Sequence, residues 1–128
     1  MRVLFDTHAL AWWILNSDRL SPRARSLAMS EENQVLISVV TAFEMTTKYR
    51  VGKWPDIGPL VADFEAAIAA EGFSLLHLGI APALLAGNFR NDHRDPFDRL
   101  LAAQSMVEKL PLVTSDPAFK TFGVETLW

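Results

Sequence analysis

Short apolar runs alternate along this chain with longer stretches of mixed polarity. Val3-Leu4-Phe5, Val35-Leu36-Ile37-Ser38, Phe73-Ser74-Leu75-Leu76 and Leu112-Val113-Thr114 carry no charge. Runs this short and this apolar suit strands, and the first two suit strands buried on both faces. Val124-Glu125-Thr126-Leu127 predicts a short terminal strand. Helical patterns fill the intervals. Residues 8–15 are apolar nearly all round. Ser21-Pro22 starts a helix running to about residue 30, with serine as N-cap and proline at the first helical position. Residues 41–51 form the next and stop at Gly52. Residues 60–71 predict one amphipathic helix, with Leu60, Phe64, Ala67 and Ile68 on one side and Gly72 as its stop. Residues 82–89 form another. Asp95-Pro96-Phe97-Asp98 opens a helix carrying Leu100, Leu101, Ala103, Gln104 and Val107. Residues 117–122 predict a helical turn, 53–59 a rigid proline-bearing loop, and 90–94 a polar loop. Strands and helices that alternate throughout predict an α/β fold, with a parallel sheet covered on both faces. In such sheets the ligand site lies beyond the carboxyl ends of the strands, where the strand order reverses.

Composition narrows the classes. The 128 residues predict a single domain, 1–128, and half are apolar, enough for a real core. No run of about 18 apolar residues occurs, so no membrane span is expected. The first residues read as a strand entering an acid, not as a secretory leader. The absence of cysteine excludes disulfides and thiolate metal sites and fits a cytoplasmic protein. A net charge of -3 argues against a general nucleic-acid coat. Local cations or metal ions can still admit a phosphodiester.

Four acids fall where this architecture would gather them. Asp6 closes the first apolar run and Asp116 the last strong one. Asp98 opens the helix feeding that last strand, and Glu44 lies inside the 41–51 helix. Each has an ordinary reading. Asp6, Asp95 and Asp116 stand at helix starts as N-caps, Asp98 falls three residues after Asp95 as a capping-box acid, and Glu44 could be a solvated helix charge. The functional reading rests on the combination. Two like charges ~4 Å apart repel by roughly 4 kcal/mol at an effective dielectric of ~20, and nothing in folding requires that. Hard oxygen donors around a hydrated site suit Mg²⁺ or Mn²⁺, whereas His/Cys spacing for zinc is absent. His8 and His93 read as hydrogen-bonded groups rather than ligands.

At these residues the chain resembles PIN-domain ribonucleases, and specifically VapC-type toxins of type II toxin–antitoxin systems. The likeness is carried by Leu4-Phe5-Asp6-Thr7-His8-Ala9-Leu10, then Ser38-Val39-Val40-Thr41-Ala42-Phe43-Glu44-Met45 with Lys48 and Gly52-Lys53. It continues with His93-Arg94-Asp95-Pro96-Phe97-Asp98-Arg99-Leu100-Leu101-Ala102-Ala103-Gln104-Ser105 and closes with Leu112-Val113-Thr114-Ser115-Asp116. It implies a PIN-like three-layer α/β/α sandwich with a central parallel sheet of four to five strands. It also implies a Mg²⁺-dependent endoribonuclease that inhibits translation and growth in a prokaryotic cytoplasm, with Mn²⁺ as a substitute metal. The family's acidic quartet falls on Asp6, Glu44, Asp98 and Asp116. Asp6 and Asp98 are then the principal metal ligands, with Glu44 and Asp116 binding directly or through water. Thr7, Asp95 and Thr114 are expected to support them, and Ser38 lies close enough to do the same. The implied partners are RNA, a small cognate antitoxin and a second copy of the chain.

Arg90, Arg94 and Arg99 around the third motif, and Lys48, Arg50 and Lys53 after Glu44, are two cationic groups of which one or both are candidates to grip the RNA backbone. For Lys48 and Arg99 the competing reading is an ion-pair or helix-face role. Trp12 and Trp13 point about 100° apart on a helix, so one is expected on the sheet and the other at an interface with a second subunit or an antitoxin helix; the competing reading buries both under the 21–30 helix. An aspartyl-phosphate phosphatase would need an acid two residues after Asp6, where His8 stands, and a receiver domain needs an early acidic pair that is absent. A catalytically silent RNA- or antitoxin-binding module is the remaining alternative.

Overall fold

Side chains alternate across a strand, so a strand apolar at every position needs cover on both faces. In the computed structural model, which describes residues 1–128, β1 (Arg2–Phe5) sends Val3 and Phe5 into one core cluster and Leu4 into another. β2 (Gln34–Ser38) divides the same way, with Val35 and Ile37 opposite Leu36. The first layer is built by α1 (Thr7–Ile14), α2 (Pro22–Met29), Met45 of α3 (Val39–Arg50), and the short helices α4 (Gly58–Ala62) and α5 (Phe64–Ala70). The second is built by Leu101 and Ala102 of α7 (Pro96–Glu108), with Phe119 and Phe122 of the 3-10 segment Pro117–Phe122. Helix α6 (Ile80–Asn88) packs on α7.

All pairings in the sheet are parallel, in the order β3-β2-β1-β4-β5, where β3 is Ser74–Leu76, β4 Leu112–Val113 and β5 Thr126–Leu127. The chain first moves outward from β1 through β2 to β3. It then returns to the other side of β1 for β4 and β5. The reversal therefore lies between β1 and β4, with Asp6 just beyond one strand and Asp116 three residues beyond the other.

Four elements differ from the pattern-based expectation. The helix expected over 60–71 breaks at Asp63, whose extended backbone (φ -147°, ψ 75°) interrupts it while its carboxylate accepts from Ala66 N at 3.3 Å. A short polar side chain can thus restart a helix instead of continuing one. Helix α3 begins at Val39, directly after β2, because the Ser38 hydroxyl accepts from Val40 N. Helix α6 begins ahead of Pro82, which the first turn of a helix tolerates. The loop at 53–59 is itself helical in part, with a 3-10 turn at Pro55–Ile57 pinned by the buried Ile57.

Candidate active site

Asp6 is held before it can act. It is the N-cap of α1: Oδ1 accepts from Ala9 N at 2.7 Å, and Oδ2 accepts from the Thr114 hydroxyl beyond β4. The cap is local chemistry, whereas the Thr114 bond spans 108 residues and exists only because β1 and β4 are neighbours. The residue is 6% exposed. Burial pushes its carboxyl up to about 6, against the pull of the Thr114 and Ala9 bonds, and the charges of Glu44 and Asp116 add to the rise.

Glu44 is buried, not solvated. Its Oε1 accepts from the Thr7 hydroxyl at 2.7 Å, and Thr7 in turn contacts the Thr41 hydroxyl at 3.1 Å. Its Oε2 accepts from Lys48 Nζ one turn along α3. Glutamate four residues ahead of lysine is the favourable helical order, so this pair was available to sequence reasoning. Asp98 lies in the first turn of α7, where Asp95 is the N-cap and takes the amides of Phe97 (2.8 Å) and Asp98 (3.2 Å). Asp98 Oδ2 meets His93 Nε2 at 2.8 Å. Burial again dominates its carboxyl, raised to about 6; Asp95 and Glu44 add to the rise and His93 opposes it. Asp116 is more exposed and caps the last 3-10 segment through Ala118 N at 2.9 Å.

All four acids, with Asp95, Thr7, His8 and Lys48, line one cavity of about 100 Å³, closed by Leu101 and Phe119. His8 is held below the usual imidazole value, first by burial and then by Lys48, with Glu44, Asp98 and Asp116 opposing, which favours the neutral ring. No group of three or more acidic or histidine side chains closes around a common point. An all-protein metal cage is thus not formed. Mg²⁺ does not require one, since it retains most of its water and takes one or two carboxylates. An all-oxygen donor set in which two carboxyls are raised by burial and by each other's neighbours suits such an ion.

The cations expected to grip RNA separate. Arg90 and Arg94 are exposed. Arg99 is not free: its guanidinium donates to the carbonyls of Ala86 (3.0 Å), Phe89 (2.6 Å) and His93 (2.9 Å) and to Asn91 Oδ1 (3.1 Å). It therefore organises the 89–95 loop and is not simply a solvated helix-face charge. Lys48 is the ion-pair partner of Glu44. Ser38 does not reach the acids; its hydroxyl bonds the buried Gln104. The two tryptophans also divide. Trp13 packs on Phe73 and donates to Glu71 at 3.0 Å, while Trp12 touches His8 and Trp128. Sequence reasoning missed Thr41 and the pairing of His93 with Asp98. The Thr41 contact with Thr7 depends on how α1 and α3 meet, whereas His93 and Asp98 are five residues apart and paired by the loop that enters α7.

The PIN domain family matches residues 3–125 of the chain. No curated protein sequence matches it. Among solved structures, VapBC2 from Rickettsia felis, bound to a DNA fragment from its promoter, is similar over 100% of this chain and 98% of its own, at 16% identity and a TM-score of 0.71. FitAcB from Neisseria gonorrhoeae is similar over 100% and 97%, at 19% identity and a TM-score of 0.69. FitAB bound to the IR36 DNA fragment is similar over 99% and 94%, at 19% identity and a TM-score of 0.68.

Proposed function

Given that the chain belongs to the PIN-domain family, we propose that it is a Mg²⁺-dependent endoribonuclease, the toxin of a toxin–antitoxin pair acting in a prokaryotic cytoplasm. One observation carries the reading. Asp6, buried, and Asp98, half-buried, share a cavity with Glu44 and Asp116 at the switch point of the sheet, and burial raises both carboxyls to about 6. Holding these charges together costs stability unless a cation offsets them.

Asp6 and Asp98 would hold the ion, with Glu44 and Asp116 binding directly or through water. A bound Mg²⁺ would supply positive charge to the scissile phosphate and acidify an attacking water. The chain's own part is positioning. Thr114 and Ala9 N fix both oxygens of Asp6, Thr7 and Lys48 fix those of Glu44, and His93 fixes one of Asp98. Such supports set the orientation and basicity of metal ligands.

The direct test is incubation with single-stranded RNA under Mg²⁺ and under EDTA. Cleavage is expected with Mg²⁺ only, with Mn²⁺ substituting. Mg²⁺ should also raise the melting temperature, because it binds the folded state. RNA bound but left intact in Mg²⁺ and Mn²⁺ would mean a silent binding module instead.

A cognate antitoxin and a second copy of the chain belong to the same proposal. The exposed large apolar side chains Phe43, Leu78, Ile80 and Leu84 support an interface with some partner. Sedimentation equilibrium should give twice the chain mass; a strict monomer across the micromolar range removes the homodimer.

A further inference from the structure

A second cavity, of about 340 Å³, adjoins the acidic one and is lined by His8, Trp12, Arg19, Lys48, Lys53 and Trp54. Every lining residue is aromatic or cationic, and none is acidic. In a chain of net charge -3 this is a local reversal. His8 and Lys48 line both cavities, so the two share a wall. The rings form a series: Trp54 and His8 have centroids 5.2 Å apart and 33° between planes, His8 and Trp12 5.5 Å and 48°, and Trp12 meets Trp128 edge-on at 5.7 Å. Lys48 Nζ lies 5.9 Å from the Trp54 ring centroid.

We infer that this groove is a nucleotide subsite, in which Trp54 and Trp12 stack a base of single-stranded RNA while Arg19 and Lys53 hold its phosphate. Aromatic faces interleaved with cations are how proteins take single strands with little sequence preference. The shared wall makes the subsite contiguous with the acids: a strand with one phosphate in the acidic cavity can run on along His8 and Lys48. The platform is also rigid. Trp54 directly precedes the 3-10 turn Pro55–Ile57, Ile57 is buried, and the following Gly58 lies under Tyr49 so closely that a Cβ would come within 3.1 Å of the ring. A fixed ring loses little freedom when a base stacks on it. Arg19 and Lys53 are both exposed and make no ion pair. The assignment rests on the ribonuclease reading for its choice of RNA, but binding can be measured without turnover.

The test uses wild-type protein in EDTA and short fluorescent RNA oligomers, intact or with one abasic position moved along the strand. One abasic position should weaken binding by about 5- to 100-fold, the scale of losing one stacked base, and intact RNA should quench tryptophan fluorescence. Trp54→Ala should remove that abasic penalty, and Trp54→Phe should keep most of it. If Trp54→Ala melts well below wild type, the exposed pair Arg19→Ala and Lys53→Ala takes its place, with weaker binding of intact and abasic strands alike. Equal affinity for intact and abasic strands at every position overturns the subsite. So does unchanged RNA binding by Trp54→Ala with a weakened protein complex, which would make the groove a protein-docking surface. Base-dependent binding without cleavage in Mg²⁺ sinks the nuclease reading and leaves the subsite standing. Cleavage with base-blind binding does the reverse.

Discussion

Asp6→Asn is expected to abolish Mg²⁺-dependent RNA cleavage while making the metal-free protein more stable at pH 7. The activity loss should be at least about 100-fold, the scale seen when one group that stabilises developing charge is removed. The stability gain follows from linkage. The Asp6 carboxyl is raised from 3.8 to about 6 in the folded state. Its contribution is therefore fully present below pH 3.8 and is lost as pH rises through about 6, where the unfolded chain ionises freely and the folded one resists. Two pKa units correspond to about 3 kcal/mol, an upper figure because a buried site relaxes around its charge. Asparagine keeps the local bonds: its carbonyl can accept from Ala9 N, and its amide can donate to the Thr114 hydroxyl.

Melting curves of the metal-free proteins between pH 4 and pH 8 check this. Wild type should lose stability over that window through both Asp6 and Asp98, whose carboxyl is raised to about 6 as well. The variant should lose less, and Mg²⁺ should stabilise it less. An Asp6→Asn protein that cleaves RNA at the wild-type rate would end the metal-site reading. An unchanged pH slope would end the electrostatic account of Asp6 alone.

Arg99→Met should cost roughly 2–3 kcal/mol of stability, the scale of losing charge-assisted hydrogen bonds, and the largest loss expected of any surface-proximal cation here. Four acceptors depend on that guanidinium, three of them main-chain carbonyls in α6 and the 89–95 loop. Removing the donor leaves these neutral acceptors unsatisfied in a half-buried setting. Methionine keeps much of the packing against Phe89, 5.7 Å from the guanidinium, so the loss reports the hydrogen bonds. Arg99→Lys should recover less than half, because an ammonium cannot reproduce the planar fork. Hydrogen exchange should quicken at the Phe97 and Asp98 amides, which the Asp95 carboxylate holds. Cleavage should fall too, since His93 and Asp98 would lose their setting. A variant that melts like wild type but binds RNA weakly would instead return Arg99 to the substrate-gripping role.

Much of this architecture was legible locally. The apolar runs 3–5, 35–38 and 112–114 lie at strands because a short charge-free run is buried on both sheet faces. The Ser21-Pro22, Asp95-Pro96 and Asp116-Pro117 starts hold because a cap bonds amides two or three residues ahead. The break at Asp63 was not legible: the apolar positions of 60–71 fit one helix, and the interruption depends on how both halves meet the core.

The bounds of the four acids follow the same division. The chain by itself determined that Asp6, Asp95 and Asp116 cap helices, because those bonds reach two or three residues. It also determined that Glu44 could pair with Lys48, because they stand one turn apart. Only the tertiary structure decided that Glu44 faces inward, that Thr114 reaches Asp6 across the β1–β4 boundary, and that Arg99 serves a loop. It alone set Trp13 against Phe73 and Trp12 against His8, with both half-buried on the same core cluster. Those outcomes depend on strand order and helix packing, which join residues tens of positions apart and leave no periodic trace in the chain.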